Sequence, residues 1–352
     1  MTKIDNTKPI LVTGASGYVA SWLVKELLEK GHTVHAAVRD PDNKEKIKHL
    51  DEIAKKSSGK IEYFKSDLLE NGSYAEAMKG CELVYHTASP FTSNIKDPQT
   101  ELVDPALLGT RNVLEQANKT ESVKRVVLTS SCAAIYGDNA DLKNTPDGKF
   151  TEEVWNTSSS LNHQAYSYSK TLAEKEAWEI VKKQNRWDLV VINPSLVIGP
   201  ALNPTAVTSE SFTILKQFGD GSMKTGAPDF GIGVVDVRDL AYAHYQGGFK
   251  PEVKGRHIVS AYNTTFIDMG KTLMPKYGKK YPLPKNKLPK AMVWLIGPIL
   301  SKSLNRKIIS RNVGHPFIAD NSKGIKELGL KYRPLKDSME DTFQQLIDNK
   351  LF

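Results

Sequence analysis

The stretch VTGASGYVA, from Val12 to Ala20, places two glycines between a β-branched run and a helical one. KPILVTG before it reads as a short strand, and YVASWLVKELLEKG after it has helical periodicity closed by a Gly. In that context Gly14 permits the tight turn. Gly17 removes a side chain where a pyrophosphate must approach backbone N–H groups at the helix's positive end. Ala20, where a third glycine often sits, is small enough for the helix to lie against the strand. The candidate cofactor contacts of the turn are Gly14, Ser16, Gly17, Tyr18 and Val19.

Outward from this turn the rhythm repeats. HTVHAAVR, KIEYFKSD, CELVYHTAS, VKRVVLTSS and WDLVVINPSLVIGP read as strands, with helical segments between them. Such β-α repeats with apolar strands predict an α/β fold: a Rossmann-type, doubly wound parallel sheet with helices on both faces. After Pro200 the chain becomes loop-rich, then returns through GVVDVRDLAYAHYQGGF and GRHIVSAY and ends in helical, lysine-rich sequence. The expected division is a cofactor-binding domain of residues 1–194 plus about 229–262, and a smaller, mostly helical substrate lobe of about 195–228 plus 263–352, with a ligand cleft between them.

The end of the second strand selects the dinucleotide. An acidic residue there would bind a ribose 2′-hydroxyl, but this chain reads AAVRD, with Arg39 first and Lys46 in the following helix. A guanidinium can hold a 2′-phosphate bidentately and an ammonium adds a second positive charge, so NADP(H) is expected. Were Asp40 to face the ribose instead, NAD would be tolerated. Asp67 and Leu68, after the third strand, stand where an adenine edge can be read; otherwise Asp67 is a simple cap.

LTSSCAAIYG puts hydroxyls at the carboxyl end of the fifth strand, the edge that faces a ligand crevice. Tyr-x-x-x-Lys occurs three times, at Tyr166/Lys170, Tyr281/Lys285 and Tyr332/Lys336, and the last two intervals contain proline. Only Tyr166 and Lys170 fall in helical sequence, where i and i+4 share a face. Carbonyl reduction needs a proton donor. A Lys ammonium about 5 Å from a phenol, at an effective dielectric near 20, favours phenolate by roughly 3 kcal/mol. Tyr166 would then serve as the acid, Ser131 would polarise the carbonyl oxygen, and Lys170 would also hold ribose hydroxyls.

These blocks, with VRDPDNKEKIKHL, HTASPF, GTRNVL, YSYSKTLAEKEAW, NPSLVIGP and DVRDLAYAH, resemble the extended short-chain dehydrogenase/reductases. Most similar is the branch of dihydroflavonol 4-reductases, cinnamoyl-CoA reductases and methylglyoxal (aldehyde) reductases, over most of the first 245 residues. The resemblance implies a Ser131–Tyr166–Lys170 triad and further cofactor contacts at Thr87, Ser89, Pro194, Val197 and Ser209. Tyr136 stands where flavonoid reductases carry an Asn, which speaks against a flavonoid role, and QAYSYSK only partly echoes the cinnamoyl-CoA enzymes. Phe91 and Tyr136 are expected to shape an apolar substrate pocket together with Ser131 and Tyr166. Alternatives on the same scaffold are a sugar-nucleotide epimerase or dehydratase, a 3β-hydroxysteroid or acyl-CoA reductase, and a non-enzymatic NADP sensor.

The bulk numbers exclude other classes. The 352 residues are 39% hydrophobic and 25% charged, with a mean hydropathy of −0.40 and a net charge of +8. Two cysteines provide neither a disulfide framework nor a metal site, and the opening MTKIDNTKPILVTG lacks the apolar core of a secretory signal; a cytoplasmic protein is expected. No histidine sits in a metal-ligand pattern, no Gly-x-Ser-x-Gly elbow occurs, and basic residues lack the aromatic interleaving of nucleic-acid binders. Pro275–Lys290, the densest basic stretch, reads as a solvated loop. Ala291–Leu300 is too short to span a membrane and reads as a helix broken at Gly297–Pro298, packed on the body or roofing a pocket, with peripheral membrane contact as the alternative. The expected partner is a small carbonyl substrate, and a homodimer is favoured slightly over a monomer.

Overall fold

Strands buried on both faces need helices above and below them, and the chain supplies these in alternation. It runs β1 (Ile10–Thr13), α1 (Tyr18–Glu29), β2 (Thr33–Val38), α2 (Lys44–Lys56), β3 (Lys60–Lys65), α3 (Ala75–Met78), β4 (Leu83–His86), α4 (Asp104–Lys119), β5 (Arg125–Thr129), α5 (Ala165–Val181) and β6 (Asp188–Pro194). Then follow β7 (Leu196–Ile198), α6 (Glu210–Gln217), β8 (Ala227–Pro228), β9 (Gly231–Asp236), α7 (Val237–Phe249), β10 (Gly255–Val259) and β11 (Tyr262–Thr265). The tail comprises α8 (Phe266–Tyr277), β12 (Lys287–Leu288), α9 (Lys290–Leu300), α10 (Arg306–Asn312), α11 (Ser322–Leu328) and α12 (Leu335–Asp348). This computed structural model describes residues 2–89, 95–206, 210–300 and 304–352.

Seven strands form one sheet in the order β3-β2-β1-β4-β5-β6-β10, every neighbour parallel. The order reverses between β1 and β4, so the chain leaves these two strands toward opposite sides and opens a crevice at their carboxyl ends. Register aligns those ends: Thr13 lies opposite Ala37 and His86, and Thr129 opposite Ile192.

One face is covered by α1, α2 and α7, whose Leu23, Leu27, Ile47 and Leu240 pack on Val12, Val34 and Val190. The other is covered by α3, α4 and α5, with Met78, Val113, Leu114 and Ala177 against Val84, Val126 and Val191. Helix α7 comes so close that a Cβ on Gly248 would lie 2.1 Å from the Tyr85 hydroxyl oxygen. At the opposite, amino-terminal edge, buried Arg125 forks onto Asp188 at 2.6 and 2.9 Å and donates to the Lys250 carbonyl at 2.6 Å.

β7, β9 and β11 make a separate three-stranded sheet, and β8 pairs with β12. A third core of Phe212, Phe218, Leu273, Met339 and Phe343 joins α6, α8 and α12 to it. Two expectations for the tail are corrected here. Pro275–Lys290 is not simply a solvated loop: Tyr277 and Leu283 are buried in this third core while the intervening lysines stay in water, and Lys287–Leu288 pair with Ala227–Pro228. Nor does Gly297–Pro298 break its helix, since α9 continues to Leu300 with Pro298 inside it. Gly297 is instead the point where α9 meets α10: a Cβ there would stand 2.9 Å from the Ile309 side chain.

Candidate active site

The glycine turn sits at the sheet's reversal point. Gly14 has φ +63°, and a Cβ on it would meet the Ala88 backbone at 3.1 Å, so both conformation and space require glycine. Gly17 donates its N–H to the Gly14 carbonyl at 2.9 Å and caps α1 with no side-chain acceptor. No acidic residue lies in the first turn of α1, so its amide hydrogens and dipole are left for an anion. Ser16 and Val19 are half-buried beside it. The side chain of Tyr18 turns elsewhere, donating to the Gly199 carbonyl at 2.6 Å, while Trp22 donates to Pro200 at 2.8 Å. Asn203 adds a bond to the Glu45 carbonyl at 3.0 Å, so residues 199–203 lie as a strap across the starts of α1 and α2.

At the carboxyl end of β2, Arg39 and Lys46 are both exposed, and neither has an ion-pair partner among the described residues. Asp40 is engaged in its own turn, accepting from the Asp42 N–H at 3.0 Å. Asp67 likewise accepts from the Leu69 N–H at 2.8 Å, a turn cap and not a helix cap, and Leu68 rests on Gly109 of α4.

The segment after β4 is zipped onto β1. Buried Thr13 accepts from the Thr87 N–H at 3.1 Å and the Ala88 N–H at 3.0 Å, and the Thr87 hydroxyl donates back to the Thr13 carbonyl. This places Ser89 over α5, where the Lys170 ammonium donates to its hydroxyl at 2.7 Å. The same ammonium lies 5.8 Å from the Tyr166 ring centroid. Burial lowers the Lys170 pKa to about 8. Tyr166, in the first turn of α5, keeps 41% of its surface exposed. Ser131, just past the end of β5, is half-buried and caps a short 3₁₀ turn by accepting from the Ala133 N–H at 3.1 Å.

A small cavity beneath this point is lined by Leu68, Ala88, Ser89, Ser130 and Lys170, so the crevice gathers residues from four separate candidate segments. Pro194 is buried at the end of β6 and Val197 lies half-buried in β7, paired with Val235. Tyr136 stacks on Phe150 at 4.8 Å and packs against Phe317 at 5.0 Å, and burial raises its pKa. Phe91 and Ser209 lie outside the described residues.

Two buried polar networks flank the triad residues, and sequence reasoning missed both. Glu174, one turn beyond Lys170, accepts from Ser130 at 2.5 Å, Asn193 at 2.7 Å and Arg256 at 2.5 Å. The second centres on Asp138, which accepts from His163 Nε2 at 2.8 Å, Asn312 at 2.7 Å and Arg311. Burial works against the charged carboxylate of Asp138, but these three bonds outweigh it and hold its pKa below the usual range. His163 immediately precedes Gln164, whose φ of +55° opens α5. Asp138 thus joins the start of the Tyr166 helix to α10. The only signal in sequence was the presence of charged and amide residues inside apolar runs, such as Asn193 in VVINP and Arg256 in GRHIV.

Comparison with known proteins shows the family and the fold. A family model described as the NAD dependent epimerase/dehydratase family matches residues 10–246. The chain is 37% identical to the cinnamoyl-CoA reductase CAD2 of Medicago truncatula, over 97% of this chain and 96% of that one. It is 31% identical to a dihydroflavonol 4-reductase of Gerbera hybrida, over 98% and 86% respectively. Among solved structures, yeast methylglyoxal/isovaleraldehyde reductase Gre2 complexed with NADPH superposes with a TM-score of 0.79 at 28% identity, covering 97% of this chain and 99% of that one.

Proposed function

The chain belongs to the NAD dependent epimerase/dehydratase family, as a reductase of the extended short-chain dehydrogenase/reductase type, and from that premise we propose that it reduces an aldehyde or ketone with NADPH, Tyr166 giving the proton. The observation that carries this reading is the Lys170 ammonium: half-buried at the sheet's reversal point, bonded to Ser89, and 5.8 Å from the Tyr166 ring.

The residues present fit the dinucleotide. An uncapped α1 start without acidic residues suits a pyrophosphate, and two cations at the end of β2 with no ion-pair partner among the described residues suit a 2′-phosphate. Gly14, Ser16, Gly17, Tyr18 and Val19 would hold the pyrophosphate, Arg39 and Lys46 the 2′-phosphate, and Asp67 and Leu68 the adenine side. Thr87, Ser89, Lys170, Tyr166, Pro194 and Val197 would surround the nicotinamide ribose and ring, with Ser209 as a further contact. Residues 1–194 with about 229–262 then form the cofactor unit, and about 195–228 with 263–352 the substrate lobe.

Bound NADPH supplies a hydride to the carbonyl carbon. Ser131 donates a hydrogen bond to the carbonyl oxygen and stabilises the charge that develops there. Tyr166 transfers its phenolic proton to that oxygen as the alcohol forms. Lys170 favours the resulting phenolate by its positive charge. Solvent at the exposed Tyr166 screens this attraction, and a substrate filling the crevice displaces that water and strengthens it. Tyr136 and Phe91 are proposed to bound an apolar substrate site; methylglyoxal, isovaleraldehyde, a cinnamoyl-CoA and a dihydroflavonol, which the relatives' names carry, are the first to test, with aryl aldehydes and ketoesters after them.

The test follows NADPH absorbance with a panel of aldehydes, ketoesters, a dihydroflavonol and an acyl-CoA, with NADH alongside. Tyr166→Phe should lower kcat by about a hundredfold or more and leave NADPH binding intact. Unchanged turnover would remove Tyr166 as the acid. Tightly retained NAD with no net NADPH consumption would assign the chain to epimerase chemistry.

A further inference from the structure

Helix α9 presents two faces of the same chemistry to two different surroundings. Val293 and Gly297 pack inward against Ile309 of α10. On the opposite side Met292, Leu295, Ile296 and Ile299, spaced i, i+3, i+4 and i+7, are 43%, 58%, 38% and 83% exposed. With Trp294 at 37%, this one helix holds five of the eleven large apolar residues exposed among those described. Scattered exposed apolar residues are ordinary, but a contiguous helical stripe marks a contact surface.

Charge identifies the contact. Residues 275–311 contain ten of the 48 Lys and Arg and none of the 40 Asp and Glu, so the protein's excess of eight positive charges resides wholly in this stretch. Lys290 stands before the exposed stripe, and Arg306 and Lys307 after it, all exposed, while Lys287 is paired with Asp229 at 3.0 Å. The Arg306 guanidinium lies 4.4 Å over the Trp294 ring, which holds a cation against the same helix.

We propose that α9 and its cationic rim dock the protein on an anionic phospholipid bilayer, the helix lying in the headgroup plane with Leu295 and Ile299 reaching the acyl boundary. An apolar helical stripe bordered by Lys and Arg matches that interface on both counts. Each cation near such a surface strengthens binding about fivefold. A second copy of the chain suits the face poorly, because a two-fold contact would set like-charged rims against each other. No helix among the described residues is long and apolar enough to cross a membrane, and α9 needs only to lie on one.

The test is co-sedimentation of the full chain with unilamellar vesicles of phosphatidylcholine containing about 30% phosphatidylserine, against pure phosphatidylcholine vesicles. Binding should be at least about tenfold tighter to the anionic vesicles and should weaken as salt is raised. Leu295→Glu with Ile299→Glu should weaken it about tenfold or more without altering the thermal melt, and Arg306→Glu with Lys307→Glu should do so without touching the apolar stripe. Equal binding to both vesicles, no binding to either, or binding indifferent to both pairs would overturn the proposal. So would light scattering that shows the Leu295/Ile299 variant converting a dimer to a monomer, which would give the face to a second copy.

Discussion

Arg256 donates its Nε hydrogen to Glu174 at 2.5 Å across 82 positions of sequence, with 7% and 1% of the two residues exposed. Arg256 is further held by the Glu152 and Val154 carbonyls at 2.7 Å and lies 3.9 Å over the Trp155 ring. Its guanidinium therefore cannot follow a lost partner into water. Glu174→Ala should cost about 3–5 kcal/mol of folding stability in urea titration, because it leaves a buried cation unpaired. Glu174→Gln, which keeps hydrogen-bonding oxygen and shape, should cost less. A loss below about 1 kcal/mol for the alanine variant would show that the pair does not hold this corner together.

Lys170 gives the reaction a pH limit. Burial holds its pKa near 8, so the ammonium is charged below that value and neutral above it. If its charge supports proton donation by Tyr166, kcat/KM should be flat below pH about 8 and fall as pH rises through it. Lys170→Arg, whose charge persists past about pH 12, should remove that fall at whatever rate it retains. A wild-type profile without a break near this pH would separate the ammonium from catalysis.

Arg39 should decide the dinucleotide. Removing a charge-assisted contact to a phosphate costs about 1.5–3 kcal/mol, so Arg39→Ala should raise KM for NADPH by about 10- to 100-fold and leave NADH use unchanged. Equal effects on both dinucleotides would place Arg39 away from the 2′-phosphate.

Two neutral histidines under the crevice predict an acid-sensitive fold. His244 bonds the Leu240 carbonyl through Nδ1 at 2.8 Å and Thr129 through Nε2 at 2.7 Å, and burial lowers its pKa to about 4. Burial, with the charge of Lys170, lowers His86 to about 3. In the unfolded chain both titrate near 6.5, so below that pH the unfolded state binds protons that the folded state refuses. Stability is complete above about pH 6.5 and is lost as pH falls toward these lower values. At pH 5 each histidine should cost about 2 kcal/mol. His244→Gln, which keeps a donor and an acceptor but does not titrate, should remove about half of the pair's contribution when denaturation at pH 7 and pH 5 is compared. An unaltered difference would show that His244 is not excluded from protonation.

What could be read from sequence was what is local. The glycine turn, the β-α alternation and the Tyr166–Lys170 spacing each lie within one strand or helix, where backbone geometry dictates which residues meet. Glu174 and Asp138 were illegible because their partners stand far along the chain: Arg256 lies 82 residues from Glu174, and Arg311 lies 173 from Asp138. Nothing near LAEKEAW marks its first glutamate as buried while Lys175 and Glu176 face outward. Pro275–Lys290 misled for the opposite reason, since its lysines and prolines mask Tyr277 and Leu283, whose burial depends on α8 and α12 packing beside them.

The bond from Arg311 to Asp138 means that α10 cannot be relocated without disturbing the start of the helix that carries the proposed acid. A scaffold wired this way has little latitude to change its diet by shifting whole elements. Descendants that accept different carbonyls should keep α10 and α5 in register and vary the pendant side chains around the crevice mouth.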